Sequence, residues 1–216
     1  RFREMIKQRV KRIPVAYILG EKEFMGMDFS VSPAVLIPRP DTEILVENVI
    51  ERLKKLGNVH IVDIGTGSGA IAVSILANCL NVSGVAVDIS SEALAVAKSN
   101  AVRHGVDMRL EFVKSDVYDS LSAGQFDAII SNPPYIPDKD IAGLEPEVKR
   151  EPYGALAGGK DGLDFYRRLI QEGIKFLKPN GFMAFEVGIY QAEDVADIGR
   201  QTGAFNHFEI IKDYGN

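Results

Sequence analysis

The sequence predicts an α/β fold built on a doubly wound, mainly parallel sheet. Three observations carry that prediction. From Val59 onward, short apolar runs of strand character alternate with stretches of helical period. A glycine-rich turn, Gly65 to Gly69, joins one such run directly to a helix, and Asp88 closes the next run. Sheets of this kind bind ligands at the carboxyl ends of their strands. Both loops therefore point to the same end of the sheet.

The elements follow in order along the chain. Residues 1–12 are basic and helix-compatible, and Pro14, which lacks an amide hydrogen, ends that pattern. Glu21 to Phe24 and Asp28 to Val31 are short extended runs separated by Met25, Gly26 and Met27, the spacing of a hairpin. Asp41 stands as an N-cap for a helix whose apolar face carries Ile44, Leu45, Val49, Ile50 and Leu53, with Gly57 placed to end it. Val59 to Ile64 is a buried strand, Ala70 to Cys79 a helix, Gly84 to Ile89 a strand, and Ser91 to His104 a helix capped by Ser90. Further strands are expected at Arg109 to Val113 and Phe126 to Ser131. A loop-rich stretch then runs to about Gly159. A helix over Leu163 to Leu177, a strand over Gly181 to Val187, a helix near Gln191 to Gln201 and a strand near Phe208 to Ile211 complete the pattern.

Composition narrows the function classes. The 216 residues are 46% hydrophobic, enough for one substantial core, and carry a formal net charge of −5. That balance offers no global attraction to nucleic acid. Cys79 is the single cysteine, so no intrachain disulfide can form. Its apolar helical setting marks it as a small buried hydrophobe. A reducing, cytoplasmic setting and a soluble protein are expected, because no stretch approaches the roughly 20 apolar residues that span a bilayer. Arg1, Phe2, Arg3 and Glu4 do not begin a signal peptide. The opening residues read as the end of a helix, with chain expected upstream. His60, His104 and His207 have no metal-ligand spacing, so no metal site is expected.

The segment Asp63, Ile64, Gly65, Thr66, Gly67, Ser68, Gly69 follows a strand and opens a helix. Glycines let the backbone turn tightly and approach a ligand, and amides at the helix start can bind polar or anionic groups. At the end of the next strand, Asp88 has the position of a carboxylate that accepts the hydroxyls of a ribose. A dinucleotide is the natural competitor for such a loop, but GxGxG departs from the usual GxGxxG spacing. An acidic strand end followed by GxGxG resembles instead the first motif of class I methyltransferases, whose loop holds the methionine portion of S-adenosylmethionine. In that fold the position of Ser115 and Asp116 lies against the adenine, although Asp116 equally suits a solvated loop.

Asn132, Pro133, Pro134 and Tyr135 end the strand Phe126 to Ser131. Two prolines remove two donors and stiffen the turn, leaving carbonyls available to a ligand. An amide or exocyclic amino nitrogen carries two N–H donors and a delocalised lone pair, so it is a poor nucleophile. The Asn132 side-chain oxygen and the Pro133 carbonyl can hold both hydrogens and aim the nitrogen. The ring of Tyr135 can pack on the flat acceptor group. The competing reading is a rigid Pro-Pro turn with Asn132 capping local backbone.

Surrounding segments narrow the resemblance. Tyr17 to Gly20, Glu23 and Phe24, Leu36 to Glu43, Ser131 to Ile136, and Glu151, Pro152, Ala155 and Leu156 closely resemble the protein N5-glutamine methyltransferases specific for peptide-chain release factors. So do Gly158, Gly159, Asp161, Gly162 and Leu163, and then Glu186, Val187, Gly188 and Gln191. The likeness covers nearly the whole chain from about Tyr17 onward, its last segment ending at Gln191. It implies a class I, Rossmann-like methyltransferase fold with an N-terminal β-hairpin extension: residues 1–40 as helix remnant and hairpin linker, residues 41–216 as the S-adenosylmethionine-dependent domain. It implies cofactor contacts from Asp63, Gly65, Thr66, Gly67, Ser68, Gly69, Asp88, Asp116, Val117 and Asn132. Asn132, Pro133, Pro134 and Tyr135 would receive the acceptor glutamine of a Gly-Gly-Gln motif. Val117 stands where many members carry an aromatic, and the chain reaches Asn216 before the family's final arginine-containing strand. Arg39, restrained between Pro38 and Pro40, is expected at the substrate entrance. The same NPPY geometry also serves DNA or RNA amino-methyltransferases and ribosomal-protein glutamine methyltransferases, and a cofactor-binding adaptor would keep the fold without the reaction.

Overall fold

The computed structural model describes residues 2–212; Arg1 and residues 213–216, including Asn216 on which one expectation fell, lie outside the described residues. The chain opens with α1 (Phe2–Val10), α2 (Val15–Leu19), β1 (Glu21–Phe24) and β2 (Met27–Ser30), followed by α3 (Asp41–Leu53). The alternating section comprises β3 (Val59–Ile64), α4 (Ala70–Asn78), β4 (Val82–Asp88), α5 (Ser91–Arg103), β5 (Leu110–Lys114) and β6 (Phe126–Ser131). After a loop holding α6 (Asp138–Ile141) come α7 (Asp164–Gly173), β7 (Leu177–Phe185) and α8 (Ala192–Thr202).

The main sheet has the order β5-β4-β3-β6-β7, and all its pairings are parallel. The chain winds outward from β3 through β4 to β5, then returns to the other side of β3 with β6. The order reverses between β3 and β6, so the crevice at their carboxyl ends is the topological switch point. Register sets Ile61 opposite Ala128 and Asp63 opposite Ile130, which brings the glycine loop after β3 beside the Asn132 turn after β6.

Side chains alternate across the strands and separate the core into two layers. Val59 and Ile61 face a cluster with α3 and α4, including Val46, Leu53, Ile75 and Leu76. Val62, Ile64, Val85 and Val87 face Tyr118, Phe126, Ile129 and Leu169. The hairpin belongs to the first layer, because Phe24 and Phe29 are buried within it. Its two-residue turn has positive φ at both Met25 (53°) and Gly26 (71°), the geometry that matches strand twist in tight hairpins. Glu43 Oε1 accepts from the Met25 amide at 2.7 Å. Asn100, wholly buried on α5, accepts from the Ser30 amide and donates to the carbonyls of Ser30 and Ser68. One side chain thereby ties the hairpin to the glycine loop.

Several sequence expectations need correction. Asp41 is the first residue of α3 rather than its cap: Pro40 holds the cap position, and the Thr42 and Glu43 amides donate to the carbonyls of Arg39 and Pro40. A proline φ is already helical and needs no donor, so the helix starts one residue sooner. It closes at Leu53, with Gly57 left in the following turn. The five-residue α2 has no counterpart in the sequence reading, being too short to show a period. Helix α7 ends at Gly173, where an added Cβ would meet the Tyr118 hydroxyl at 2.5 Å. Strand β7 begins early, at Leu177, and its pairing with β6 jumps from Leu177 to Phe182 around Asn180, whose φ is 65°.

No strand forms over Phe208 to Ile211 among the described residues. Phe208 packs instead against Phe205 with centroids 6.4 Å apart and beneath the Arg200 guanidinium at 5.3 Å. Aromatic contacts with α8 replace a ladder there. By contrast, Ser90 caps α5 as expected, its hydroxyl accepting from the Ala93 amide at 3.1 Å. Cys79 is buried. No helix among the described residues is long and apolar enough to cross a membrane.

Candidate active site

Strand β3 delivers Asp63 into the core, and the chain leaves Ile64 through a turn in which Gly65, Gly67 and Gly69 all have positive φ. At Gly65, where φ is 71°, a Cβ would meet nothing within 4 Å, so the loop presents open backbone on that side. At Gly69 the constraint is proximity as well, for a Cβ would lie 3.1 Å from that of Ala97 on α5. The loop is cross-braced to β4: the Thr66 amide donates to the Val87 carbonyl at 2.9 Å. The Gly67 amide donates to Asp88 Oδ2 at 2.9 Å, and the Ser90 amide to Asp88 Oδ1 at 2.9 Å. Each Asp88 oxygen keeps a further lone pair. The Ser115 amide donates to the Asp88 carbonyl at 3.1 Å, bringing the end of β5 to the same place.

Asp63 is completely buried. Its Oδ2 accepts from the Thr66 hydroxyl at 2.7 Å and the Ala72 amide at 3.3 Å, while Oδ1 has no partner among the described residues. Burial pushes its pKa up to about 7, against the smaller opposing effect of these two hydrogen bonds. Asp116 forms an ion pair with Arg168 of α7 at 2.8 Å, and both side chains remain partly exposed. Val117 is buried with a φ of 52°. For a β-branched residue that is a strained conformation, of the kind that gathers at ligand sites.

The turn after β6 is held from several sides. Ser131 donates its hydroxyl hydrogen to the Ile64 carbonyl at 2.6 Å. Pro133 is buried. Ile136 bridges to the 156–158 segment, its amide donating to the Leu156 carbonyl and its carbonyl accepting from the Gly158 amide. The Gln191 side chain donates from Nε2 to the Tyr135 carbonyl at 3.0 Å, and its Oε1 accepts from the Gly188 amide at 3.1 Å. Gly162, at φ 81°, allows this packing, since a Cβ there would fall 2.3 Å from the Tyr135 carbonyl oxygen. No hydrogen bond to the Pro133 carbonyl occurs among the described residues.

The Asn132 side chain donates from Nδ2 to the Thr42 hydroxyl oxygen at 3.2 Å. Thr42 donates in turn to Glu186 Oε2 at 2.5 Å, and the Tyr135 hydroxyl approaches Glu186 Oε1 at 3.4 Å. Burial raises the Glu186 pKa, partly offset by the donors around it. Burial, reinforced by the Glu186 charge, pushes the Tyr135 phenol up to about 12. Thr42 carries no site role of its own in the sequence, and Glu186, at a strand end, suits either an approach to the site or a structural carboxylate. Spacing along the chain does not connect them.

Arg39 has an acidic partner, and that partner lies within the chain. Its guanidinium pairs with the buried carboxylate of Glu151, which also accepts from the Ile37 amide at 3.0 Å. Thus the segment leading into α3 is anchored to the loop beyond the Asn132 turn. His60 bonds Ser83, and His104 bonds the Asp28 carbonyl. Among the described residues no His, Cys, Asp and Glu cluster could hold a metal ion.

The switch-point crevice thus joins an open glycine loop to a turn carrying two acceptors. The methyltransferase small domain model matches residues 40–144. A release factor glutamine methyltransferase of Moorella thermoacetica is 43% identical over 214 residues, covering 99% of this chain and 76% of that protein. The chain belongs to the release factor glutamine methyltransferase family. The Geobacter sulfurreducens release factor glutamine methyltransferase is 45% identical over 202 residues, 93% of this chain and 70% of that protein. In fold, the chain is similar to the crystal structure of a methyltransferase from Pyrococcus furiosus, with a TM-score of 0.61, 23% identity and coverage of 91% and 88% of the two chains.

As a methyltransferase of this family, the chain has S-adenosylmethionine as its methyl donor. The glycine loop fits that cofactor. Its Gly65 face is open, Asp88 retains acceptor capacity suited to ribose hydroxyls, and Asp63, whose Oδ2 holds Thr66 of the loop, keeps one buried oxygen without a partner among the described residues.

Proposed function

We propose that this chain methylates the side-chain amide nitrogen, N5, of the glutamine in the Gly-Gly-Gln motif of a peptide-chain release factor, working in the cytoplasm. The observation that supports this reading most directly is the pairing of Asn132 and the unengaged Pro133 carbonyl beside the glycine loop, in a member of this family. Gly65, Thr66, Gly67, Ser68 and Gly69 would receive the methionine portion of the cofactor, Asp88 its ribose, and Asp116 and Val117 the adenine side. When bound, S-adenosylmethionine supplies a methyl carbon on a positively charged sulfur.

The protein's part is to make a poor nucleophile reactive by placement. A glutamine amide delocalises its nitrogen lone pair into the carbonyl. Accepting both N–H hydrogens, at Asn132 Oδ1 and the Pro133 carbonyl, holds the nitrogen in one orientation and favours its pyramidal form. Pro133 and Pro134 keep those acceptors from relaxing away, because their φ angles are locked. Tyr135 would pack against the flat amide. As the N–C bond forms and the S–C bond breaks, S-adenosylhomocysteine is left as product. The proton lost by the nitrogen becomes acidic only during transfer and can pass to water, so the site needs no strong base. Arg39, engaged with Glu151, supports the entrance by shaping the Ile37–Asp41 segment.

The test is mass analysis of a bacterial release factor after incubation with this protein and S-adenosylmethionine, with plasmid DNA as a parallel acceptor. One added methyl on the glutamine of the Gly-Gly-Gln loop is expected. Label confined to DNA would overturn the reading and assign the site to a nucleic-acid base.

A further inference from the structure

A primary amide has an acceptor at one end and a donor at the other, with nearly the same shape. For Asn132 to grip an N–H hydrogen, its oxygen must face the substrate and its NH2 group must face the protein. Asn132 alone cannot decide between the two orientations. Its neighbours can, and in this chain they come from two distant elements: Thr42 in the first turn of α3 and Glu186 immediately after β7.

A hydroxyl has only one hydrogen to give. Thr42 commits it to Glu186 Oε2 at 2.5 Å, so toward Asn132 the Thr42 oxygen can only accept, and it takes the Nδ2 hydrogen at 3.2 Å. The direction of the chain is set where Thr42 gives its hydrogen to Glu186 Oε2, which makes the Glu186 carboxyl oxygen the acceptor at its end. Glu186 is itself fixed: its amide donates to the Ser131 carbonyl at 3.1 Å, and its carbonyl accepts from the Tyr166 hydroxyl at 2.8 Å. The Tyr135 hydroxyl approaches its other carboxylate oxygen at 3.4 Å. The carboxylate therefore faces two members of the turn: Tyr135 directly, and Asn132 both through Thr42 and within its own reach.

We propose that Glu186, acting through the Thr42 hydroxyl, is a positioning residue that sets the Asn132 amide with its oxygen toward the acceptor nitrogen. The inference rests on the methyl-transfer reading above and adds to it the groups that orient the amide. A purely structural Glu186 would only bind α3 to the end of β7.

The test uses the full chain, a release factor and four variants. Thr42→Val removes the hydroxyl at nearly constant shape, Thr42→Ser keeps it, Glu186→Gln replaces an acceptor-only group by one that also donates, and the double variant joins Thr42→Val to Glu186→Gln. Expected for Thr42→Val is a kcat lower by about 10- to 100-fold, with KM for the release factor and cofactor Kd changed less than about threefold. Thr42→Ser should restore kcat. The double variant should be no slower than Glu186→Gln alone, because without the carboxylate the Thr42 hydroxyl has no fixed direction to pass on. Unchanged kcat in Thr42→Val, or losses that multiply in the double variant, would overturn the proposal.

A second readout needs no turnover. The side-chain NH2 resonances of Asn132, assigned by their loss in Asn132→Ala, should shift in Thr42→Val and stay in place in Thr42→Ser. Equal shifts in both, or none in either, would overturn the orienting role. Wild-type protein that fails to methylate any release factor would strike the functional reading instead, while these resonances still judge the relay.

Discussion

The Ser131 hydroxyl donates to the Ile64 carbonyl at 2.6 Å, in a buried position where β3 and β6 end side by side. One strand end leads into the glycine loop and the other into the Asn132 turn, so this bond sets the spacing between the two halves of the site. Ser131→Ala should lower the unfolding free energy by about 1–2 kcal/mol, because the Ile64 carbonyl is left buried without a donor. Urea unfolding measures this. A stability equal to that of the wild type would show that the bond contributes nothing.

Asn132→Ala should reduce kcat for release-factor methylation by at least about 100-fold, the scale of losing one preorganised polar contact to the reacting group. Cofactor affinity, followed by calorimetry, should fall far less, because the glycine loop and Asp88 are braced to β4 rather than to Asn132. Undiminished turnover would remove Asn132 from the mechanism.

Asp63 links stability to pH. Its usual pKa is 3.8 and the folded protein raises it to about 7, so the folded state holds this proton more tightly than the unfolded state does. Its favourable contribution is complete below the usual value and is lost as pH rises through about 7. Asp63→Asn cannot ionise, so its stability relative to the wild type should increase from pH 5 to pH 7 and level off above, as read by urea unfolding across that range. A difference that stays flat with pH would refute the raised value.

Arg39→Ala should leave the Glu151 carboxylate buried without its cation, costing about 1–3 kcal/mol, between the exposed-pair and fully buried-pair values because the Arg39 side chain is 35% exposed. Arg39→Met combined with Glu151→Leu should recover part of that loss. Thermal unfolding and KM separate two roles. A raised KM at unchanged stability would make Arg39 a substrate contact rather than the anchor of the segment before α3.

Much of the sheet is legible in the sequence. Strands β3 and β6 match their expected limits residue for residue, because each is an apolar run bounded by strong punctuation, Gly65 after one and Asn132-Pro133 after the other. Ser90 was legible as a cap because its bond to the Ala93 amide spans three residues. Where local signals compete, the reading fell short. Pro40 displaced Asp41 from the cap position, five-residue α2 was too short to read, and the segment at Phe208 packed on α8 instead of pairing.

The site divides the same way. GxGxG, Asp88 and the Asn132 to Tyr135 turn could be read as candidates because each lies within a few consecutive residues. The Thr42–Glu186 bond spans 144 positions and the Asn132–Thr42 bond spans 90, with no period or spacing to connect them.

By itself, then, the sequence determined the alternation of strands and helices, the glycine loop and the acceptor turn, since all follow from short-range backbone preferences and side-chain periodicity. Only the tertiary structure decided that β6 inserts beside β3, that Arg39 is engaged by Glu151, and that Glu186 and Thr42 stand behind Asn132. Those contacts depend on the order of strands in the sheet, which brings distant side chains within hydrogen-bonding reach and leaves no local trace in the chain.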